Sequence, residues 1–156
     1  MKIQLIFVGK TRVPYLREGV EAFLARLRRY LPVEVKVVRS EKLTRKNQAV
    51  RVISKESERV AAVLPTHSHL VVLDRLGRQL SSVALAQWWK RLEGEGCGKL
   101  CFAVGGVLGF TDELRTQAQT LLSLSKMTFT HEMSRLILLE QLYRACTIMR
   151  GEKYHK

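Results

Sequence analysis

Apolar and polar positions along the chain follow two different periods. Residues 3–8, 70–74 and 100–104 are short, mainly apolar runs, and residues 33–38 alternate between apolar and polar side chains. All four segments are typical of β-strands. Continuous apolar runs also suit parallel strands that are covered on both faces of a sheet. The chain is therefore expected to contain a largely buried sheet.

Between these strands, apolar side chains recur every three or four residues, which predicts helices. The predicted helices cover residues 14–31, 47–64, 82–92, 111–122 and about 133–149. In the fourth, Leu114, Ala118, Leu121 and Leu122 are expected to face inwards. Strands that alternate with helices predict one α/β domain over residues 1–156, with three layers and a mainly parallel sheet.

Three loops are expected to meet at one edge of that sheet. Leu73 and Asp74 end one strand, Gly105 and Gly106 follow another, and residues 124–129 lead from a short strand-like piece into the last helix. Ligands of open α/β sheets bind beyond the carboxyl ends of the strands. These loops therefore predict one small-molecule pocket.

Residues 124–135 leave two interpretations open when they are considered alone. A turn that concentrates hydroxyls, a lysine and a histidine can hold a small ligand against its backbone. The same residues also suit a capped helix start, with Thr130 as the cap and Glu132 in the first turn. The ligand-binding interpretation is favoured only by the two other strand-end loops, at Leu73-Asp74 and Gly105-Gly106.

The glycine cluster after residues 100–104 excludes two common nucleotide sites. Gly105, Gly106 and Gly109 lack the spacing of the dinucleotide fingerprint, and no Gly-Lys-Ser/Thr sequence closes the loop as in a phosphate loop. The helix at 133–149 is apolar apart from one narrow polar stripe, so it must be covered nearly all round. A second subunit could supply part of that cover.

Composition narrows the class of protein. No apolar run reaches the ~20 residues of a membrane span, and the first residues are too short for a signal peptide, so a cytoplasmic protein is expected. The three cysteines lack the spacing and partners of a zinc site, so no metal is expected. The net charge is +13, of which residues 1–60 carry +9. Such a charge favours nucleic acid as a partner, with a merely solvated basic surface as the alternative.

Several sequence features together resemble the RlmH family of SPOUT-class methyltransferases, over nearly the whole chain. The matching residues are 2–10, Leu73-Asp74, the glycines from Gly105 to Gly109, residues 124–129, His131, Arg135, residues 140–145 and Tyr154-His155. The resemblance implies a trefoil knot in the carboxyl-terminal half, a homodimer, and methylation of N3 of a pseudouridine in large-subunit ribosomal RNA, on the ribosome. It also implies S-adenosylmethionine as the methyl donor. The implied donor-binding residues are Leu73, Gly105, Leu124, Ser125, Lys126, Met127, Thr128 and Phe129.

Four residues are the candidates for catalysis within this resemblance. Arg135 and Arg144 could stabilise charge that develops on a base oxygen, or grip phosphate. His155 could accept the N3 proton while Tyr154 orients the base. For Arg144 an ion pair with Glu140 four residues earlier is an equally open role, and for His131 capping or packing is favoured over chemistry.

Two other functions are compatible with the sequence. A related knotted methyltransferase could act on transfer RNA, and a non-catalytic RNA-binding protein could keep the same fold. The second alternative explains the charge but not three ligand-type loops at neighbouring strand ends.

Overall fold

Residues 1–46 and 48–154 are described by a computed structural model, and within them five parallel strands form one sheet. The strands are β1 Lys2–Val8, β2 Val33–Val38, β3 His69–Gln79, β4 Lys99–Val104 and β5 Thr120–Ser123. The helices are α1 Pro14–Leu27, α2 Ala49–Ala61, α3 Ser82–Gly94, α4 Asp112–Gln117 and α5 His131–Met149. The order across the sheet is β2-β1-β4-β3-β5. The predicted start of α2 near Asn47 falls on a residue outside the described part.

Helices cover both faces of the sheet, which confirms the three-layer α/β prediction. Along β1, Ile3, Leu5 and Phe7 pack with α1, α3 and α5, whereas Ile6 and Val8 pack on the other face with α2 and α4. Successive side chains of a strand point to opposite faces, so a strand covered on both sides must be apolar at nearly every position. That requirement explains the apolar runs in the sequence.

The prediction of a long helix over residues 111–122 is wrong. Helix α4 begins after Thr111, whose side chain caps it, close to the predicted start. It ends already at Gln117, and Ala118 is extended at φ −71° and ψ 132°. Leu121 packs on the α2 side of the sheet and Leu122 on the α5 side. Neighbouring residues on opposite faces belong to a strand. This strand is β5, which ends at Ser123, so the strand-like piece predicted from Leu124 onwards lies earlier in the chain.

Strand β3 runs beyond the predicted end at Asp74 and bends around β5. Leu73 and Arg78 both pair with Leu122, so residues 74–77 form an irregularity between two pairings with the same partner. Gly77 lies so close to β5 that a Cβ there would be 2.6 Å from the backbone of Leu121 and Leu122. A glycine at this position lets the two backbones touch.

We expect Gly77→Ala to lower the free energy of unfolding by about 1–3 kcal/mol, because a methyl group would have to displace backbone atoms of β5. Gly98→Ala is the matched control, since a Cβ there would meet no atom within 4 Å. Urea unfolding of both variants measures the difference. Equal stability of the two variants would contradict the close approach of β3 and β5.

Candidate functional site

The pairing of β4, β3 and β5 brings the three predicted loops to one edge of the sheet. Val72 lies opposite Ala103, the last pair between β3 and β4, so Leu73 lies beside the residues that lead to Gly105. Leu73 also lies opposite Leu122, two residues before Leu124. Adjacent strands are about 4.8 Å apart, so Leu73, Gly105 and Leu124 begin three neighbouring loops. The predicted meeting of these loops is confirmed.

The loop after β4 is built on glycines. Gly106 and Gly109 form an antiparallel bridge, and Gly109 has a φ of +78° that favours glycine. A Cβ on Gly105 would lie 3.2 Å from the Cα of Gly109 and 3.3 Å from the ring of Phe110. Without side chains at these positions, the backbone folds into a tight cradle that a ligand can approach closely.

The loop after β5 is held by two serines. Ser123 Oγ donates to the carbonyl of Ser125 over 2.9 Å, and the backbone N–H of Met127 donates to Ser125 Oγ over 2.9 Å. Beyond this turn, Lys126, Met127, Thr128 and Phe129 are exposed. Their chain then enters α5, where Thr130 Oγ1 accepts from the backbone N–H of Met133 and confirms the predicted cap.

Large apolar side chains are exposed at this edge. Met127 is 71% exposed, Val107 80% and Leu76 66%, and they come from the loops after β5 and β4 and from the irregular part of β3. Exposed apolar side chains that come from neighbouring loops can mark a binding site. Apolar side chains beside tightly turned backbone suit a ligand with an aromatic ring and several polar groups.

A cavity of about 490 Å³ adjoins the same edge. It lies between the end of β5, the first turn of α3 and the middle of α5, where Ser82 Oγ donates to Gln141 Oε1 over 2.6 Å. Of the eight predicted donor-binding residues, all of them in the described part of the chain, Leu124 alone lines this cavity. The cavity is therefore a neighbour of the three-loop site rather than its centre.

Arg135 lies beneath the edge rather than on it. Its side chain is fully buried, with Nη2 donating to the carbonyl of Val8 over 2.6 Å and Nη1 to Thr11 Oγ1 over 2.9 Å. The guanidinium lies 5.0 Å from the centre of the Phe7 ring, and burial lowers the pKa of Arg135 to about 10. These contacts fix the chain just after β1. The role of Arg135 towards a substrate stays a prediction.

Glu132, one turn before Arg135 on the same helix, completes this anchor. Its carboxylate accepts from the backbone N–H groups of Arg12 and Val13. These N–H groups precede α1, where the helix dipole favours a negative charge. The first turn of α5 therefore holds residues 9–13 at the edge that carries the three loops.

Arg144 and Tyr154 lie together, at a distance from the three loops. Arg144 Nε donates to Glu140 Oε1 over 2.9 Å, so the ion pair considered for it is present, and its guanidinium also lies 4.7 Å from the centre of the Tyr154 ring. The Tyr154 hydroxyl donates to the same carboxylate over 3.2 Å. Burial, with the charge of Glu140, raises the pKa of Tyr154.

Neither Arg144 nor Tyr154 lines the cavity that contains Leu124. Arg144 is thirteen residues beyond His131, and at 1.5 Å per residue that is about 20 Å along α5 from its first turn. The structure thus brings Arg144 and Tyr154 together around Glu140. His155, the predicted proton acceptor, lies outside the described residues.

Glu56 is a buried residue that the sequence analysis did not select. It is 3% exposed, one of its carboxylate oxygens accepts from the backbone N–H of Glu41, and the other faces Gly106. The signal was present in the sequence, because Glu56 lies between Val52 and Val60 on the apolar stripe of α2. A carboxylate at such a position needs a specific reason.

The carboxyl edge also carries much of the basic surface. Lys10 and Arg12 follow β1, and Arg39, Lys42, Arg45 and Lys46 follow β2. Parallel strands end at the same edge, so these cations flank the three loops along one side of the molecule. Among the residues described, no group of histidines, cysteines and acids could hold a metal ion, and no helix is long and apolar enough to cross a membrane.

Comparison with known proteins agrees with this arrangement. The family model described as "Predicted SPOUT methyltransferase" matches residues 1–155. Proteins named ribosomal RNA large subunit methyltransferase H are similar throughout. The one from Syntrophobacter fumaroxidans is 44% identical, with 100% of both chains covered, and the one from Syntrophotalea carbinolica is 45% identical, with 99% of both covered.

A solved structure has the same fold. A probable methylase family protein from Haemophilus influenzae matches 99% of this chain and 70% of its own, with a TM-score of 0.56 and 13% identity. Identity that low supports the fold alone. The full-length matches to the family model and to the relatives decide the assignment: the chain belongs to the RlmH family of SPOUT methyltransferases.

Proposed function

We propose that this protein methylates N3 of a pseudouridine in large-subunit ribosomal RNA, with S-adenosylmethionine as the methyl donor. The observation that carries the proposal is the meeting of three segments at one edge: the irregular part of β3 that follows Leu73, and the loops after β4 and β5. The chain that contains them is similar from end to end to proteins named for ribosomal RNA methylation. Because ribosomes are the proposed substrate, we expect the protein to act in the cytoplasm.

The residues at the edge fit the proposed donor. A Cβ on Gly105 would press on Gly109 and on the Phe110 ring, so the glycine allows the tight turn that presents backbone groups to a ligand. Leu73, Leu124 and the exposed Met127 and Phe129 offer apolar surface for an adenine ring. Ser125, Lys126 and Thr128 contribute hydroxyl, amino and backbone groups from the same loop. When bound, S-adenosylmethionine supplies an electrophilic methyl group on a sulfonium.

The protein's part in the reaction is alignment and proton removal. Holding the base in line with the methyl group can supply much of the acceleration. The N3–H bond must break, and His155 is the candidate to accept that proton, with Tyr154 beside it in the sequence to orient the base. Arg144 is the candidate to stabilise negative charge on a base oxygen. Its guanidinium lies over the Tyr154 ring and pairs with Glu140.

We further propose that the active site combines two subunits of a homodimer. Within one chain Arg144 and Tyr154 both contact Glu140, and neither lines the cavity beside Leu124. A partner subunit packed across α5 would bring its own Arg144 and Tyr154 to the donor site. Met133 and Ile137 of α5 are only partly buried within one chain, so a partner could cover them.

We also infer that the carboxyl-terminal half is knotted, as the family resemblance implies. Support comes from β3, which pairs with Leu122 both before and after residues 74–77, and from the backbone contact of Gly77 with β5. A chain passing through such a loop would hold the Leu73 and Leu124 loops together without a disulfide or metal.

RNA docking is expected on the carboxyl edge. Lys10, Arg12 and the basic segment defined as residues 39–46 flank the donor loops. Phosphate contacts by such side chains orient a nucleic acid without reading its bases. No large separate RNA-binding domain is seen among the described residues, so the surrounding ribosome would have to supply the remaining selectivity.

S-adenosylmethionine is expected to bind the purified protein. Gly105→Val is expected to weaken that binding at least tenfold, because the new side chain would collide with Gly109 and Phe110 and distort the cradle. Isothermal titration calorimetry measures both, with Gly98→Ala as the control that leaves the cradle unchanged. A wild-type protein that binds no S-adenosylmethionine would favour a non-catalytic RNA-binding role.

Mixing two inactive variants should restore methyl transfer if the subunits share the site. Gly105→Val lacks a donor site, and a variant with both Tyr154→Ala and His155→Ala lacks the tail. Heterodimers formed by co-expression keep one intact site, so about half of the activity per heterodimer is expected. Tritium transfer to ribosomes measures it, and a heterodimer as inactive as its parents would contradict sharing.

Ribosomal RNA from a strain that lacks this protein should have lost one N3-methylpseudouridine. Nucleoside and fragment mass spectrometry of ribosomal and transfer RNA detects the loss, and a plasmid copy of the gene should restore it. A modification missing from transfer RNA instead would identify the alternative substrate.

A further inference from the structure

Glu56 is a carboxylate buried without the partners that such a group normally has. It is 3% exposed, and burial is the largest cause that raises the pKa of its carboxyl group. Its Oε2 has no hydrogen-bond partner among the described residues. A buried polar atom without a partner lowers the stability of the fold. An apolar residue at this position on the Val52–Val60 stripe would avoid that loss of stability. Packing therefore does not explain a glutamate at this position.

The two oxygens of Glu56 contact two different segments of the site. Oε1 accepts from the backbone N–H of Glu41 over 2.8 Å, within the basic segment 39–46. Oε2 lies against Gly106, so closely that a Cβ on that glycine would be 2.8 Å away. One carboxylate thus touches both the segment expected to meet RNA and the glycine cradle expected to hold the methyl donor.

Neighbouring residues of α2 strengthen both contacts. Arg59 Nη2 donates to Glu41 Oε2 over 2.6 Å, and its Nη1 donates to the carbonyl of Arg39 over 2.9 Å. Ser57 Oγ accepts from the backbone N–H of Thr111 over 3.0 Å, just beyond the cradle. One turn of α2 therefore holds both segments, with Glu56 as the residue that touches both.

We propose that Glu56 is a positioning residue, which shapes the glycine cradle for the methyl donor and couples the cradle to the basic segment 39–46. The inference rests on the proposed function. Because coupling between two ligands is reciprocal, docking of RNA on residues 39–46 then tightens the donor site through Glu56. The bound donor likewise favours the docked form of the segment.

The test compares S-adenosylmethionine binding by titration calorimetry in four variants of the full chain and one control variant. Glu56→Ala removes both contacts, and we expect its Kd to rise about tenfold. Glu56→Gln keeps the size and an acceptor for the Glu41 N–H, so its Kd should stay within about threefold of wild type. Gly106→Ala, whose methyl group would press on Oε2, should raise the Kd at least tenfold.

The double variant separates positioning from general damage. With the carboxylate gone there is room for the methyl group, so Glu56→Ala/Gly106→Ala should bind about as well as Glu56→Ala alone. Effects of independent sites would multiply instead. Glu58→Ala, an exposed glutamate on the same helix, is the control and should bind like wild type.

Hydrogen exchange tests the coupling to the basic segment. In Glu56→Ala, amides of residues 39–46 and 105–111 should both exchange faster, whereas Glu58→Ala should leave both unchanged. If Glu56→Ala does not fold, Gly106→Ala compared with Gly98→Ala carries the binding test alone.

Two results would overturn the role of Glu56 and leave the proposed function standing, provided that the wild type binds the donor. One is unchanged binding in Glu56→Ala, and the other is multiplicative effects in the double variant. Faster exchange in only one of the two segments would overturn the coupling. Absence of binding in the wild type would overturn the proposed function itself.

Discussion

The pairing of β5 with β3 is the contact on which the site depends. It places Leu122 opposite both Leu73 and Arg78, and so sets the loop after Ser123 next to the loop that ends the first part of β3. Without it, residues 124–129 would have no fixed relation to Gly105. The pairing in turn requires Gly77, because any side chain there would collide with the backbone of β5.

Helix α5 serves two separate parts of the molecule. Near its start, Glu132 accepts from the backbone N–H of Arg12, between β1 and α1. Arg135, a fully buried cation, donates to the carbonyl of Val8 and to the hydroxyl of Thr11. Towards its other end, Glu140 and Arg144 carry Tyr154. A rigid helix keeps these two groups of residues apart, and the proposal of a site shared between two subunits starts from this arrangement.

Charge and burial are arranged differently on the two sides of the cradle. Outside it, the cations after β1 and β2 are exposed and suit a phosphate backbone. Inside it, Glu56 is buried against Gly106, where low polarity makes a carboxylate expensive. Two features therefore require a glycine at position 106: the tight turn of the backbone, and the space that the Glu56 carboxylate occupies.

The sequence by itself determined four of the five sheet strands, the cap at Thr130 and the meeting of three loops at one edge, because these follow from period, capping chemistry and the geometry of parallel strands. The tertiary structure alone decided where residues 118–123 belong. Leu114, Ala118, Leu121 and Leu122 satisfy helical spacing, but the free edge of β3 offers Leu121 and Leu122 opposite faces of a sheet. Pairing partners distant in sequence leave no local signal, and for the same reason Glu56 and Gly106 could be recognised as neighbours only in the folded chain.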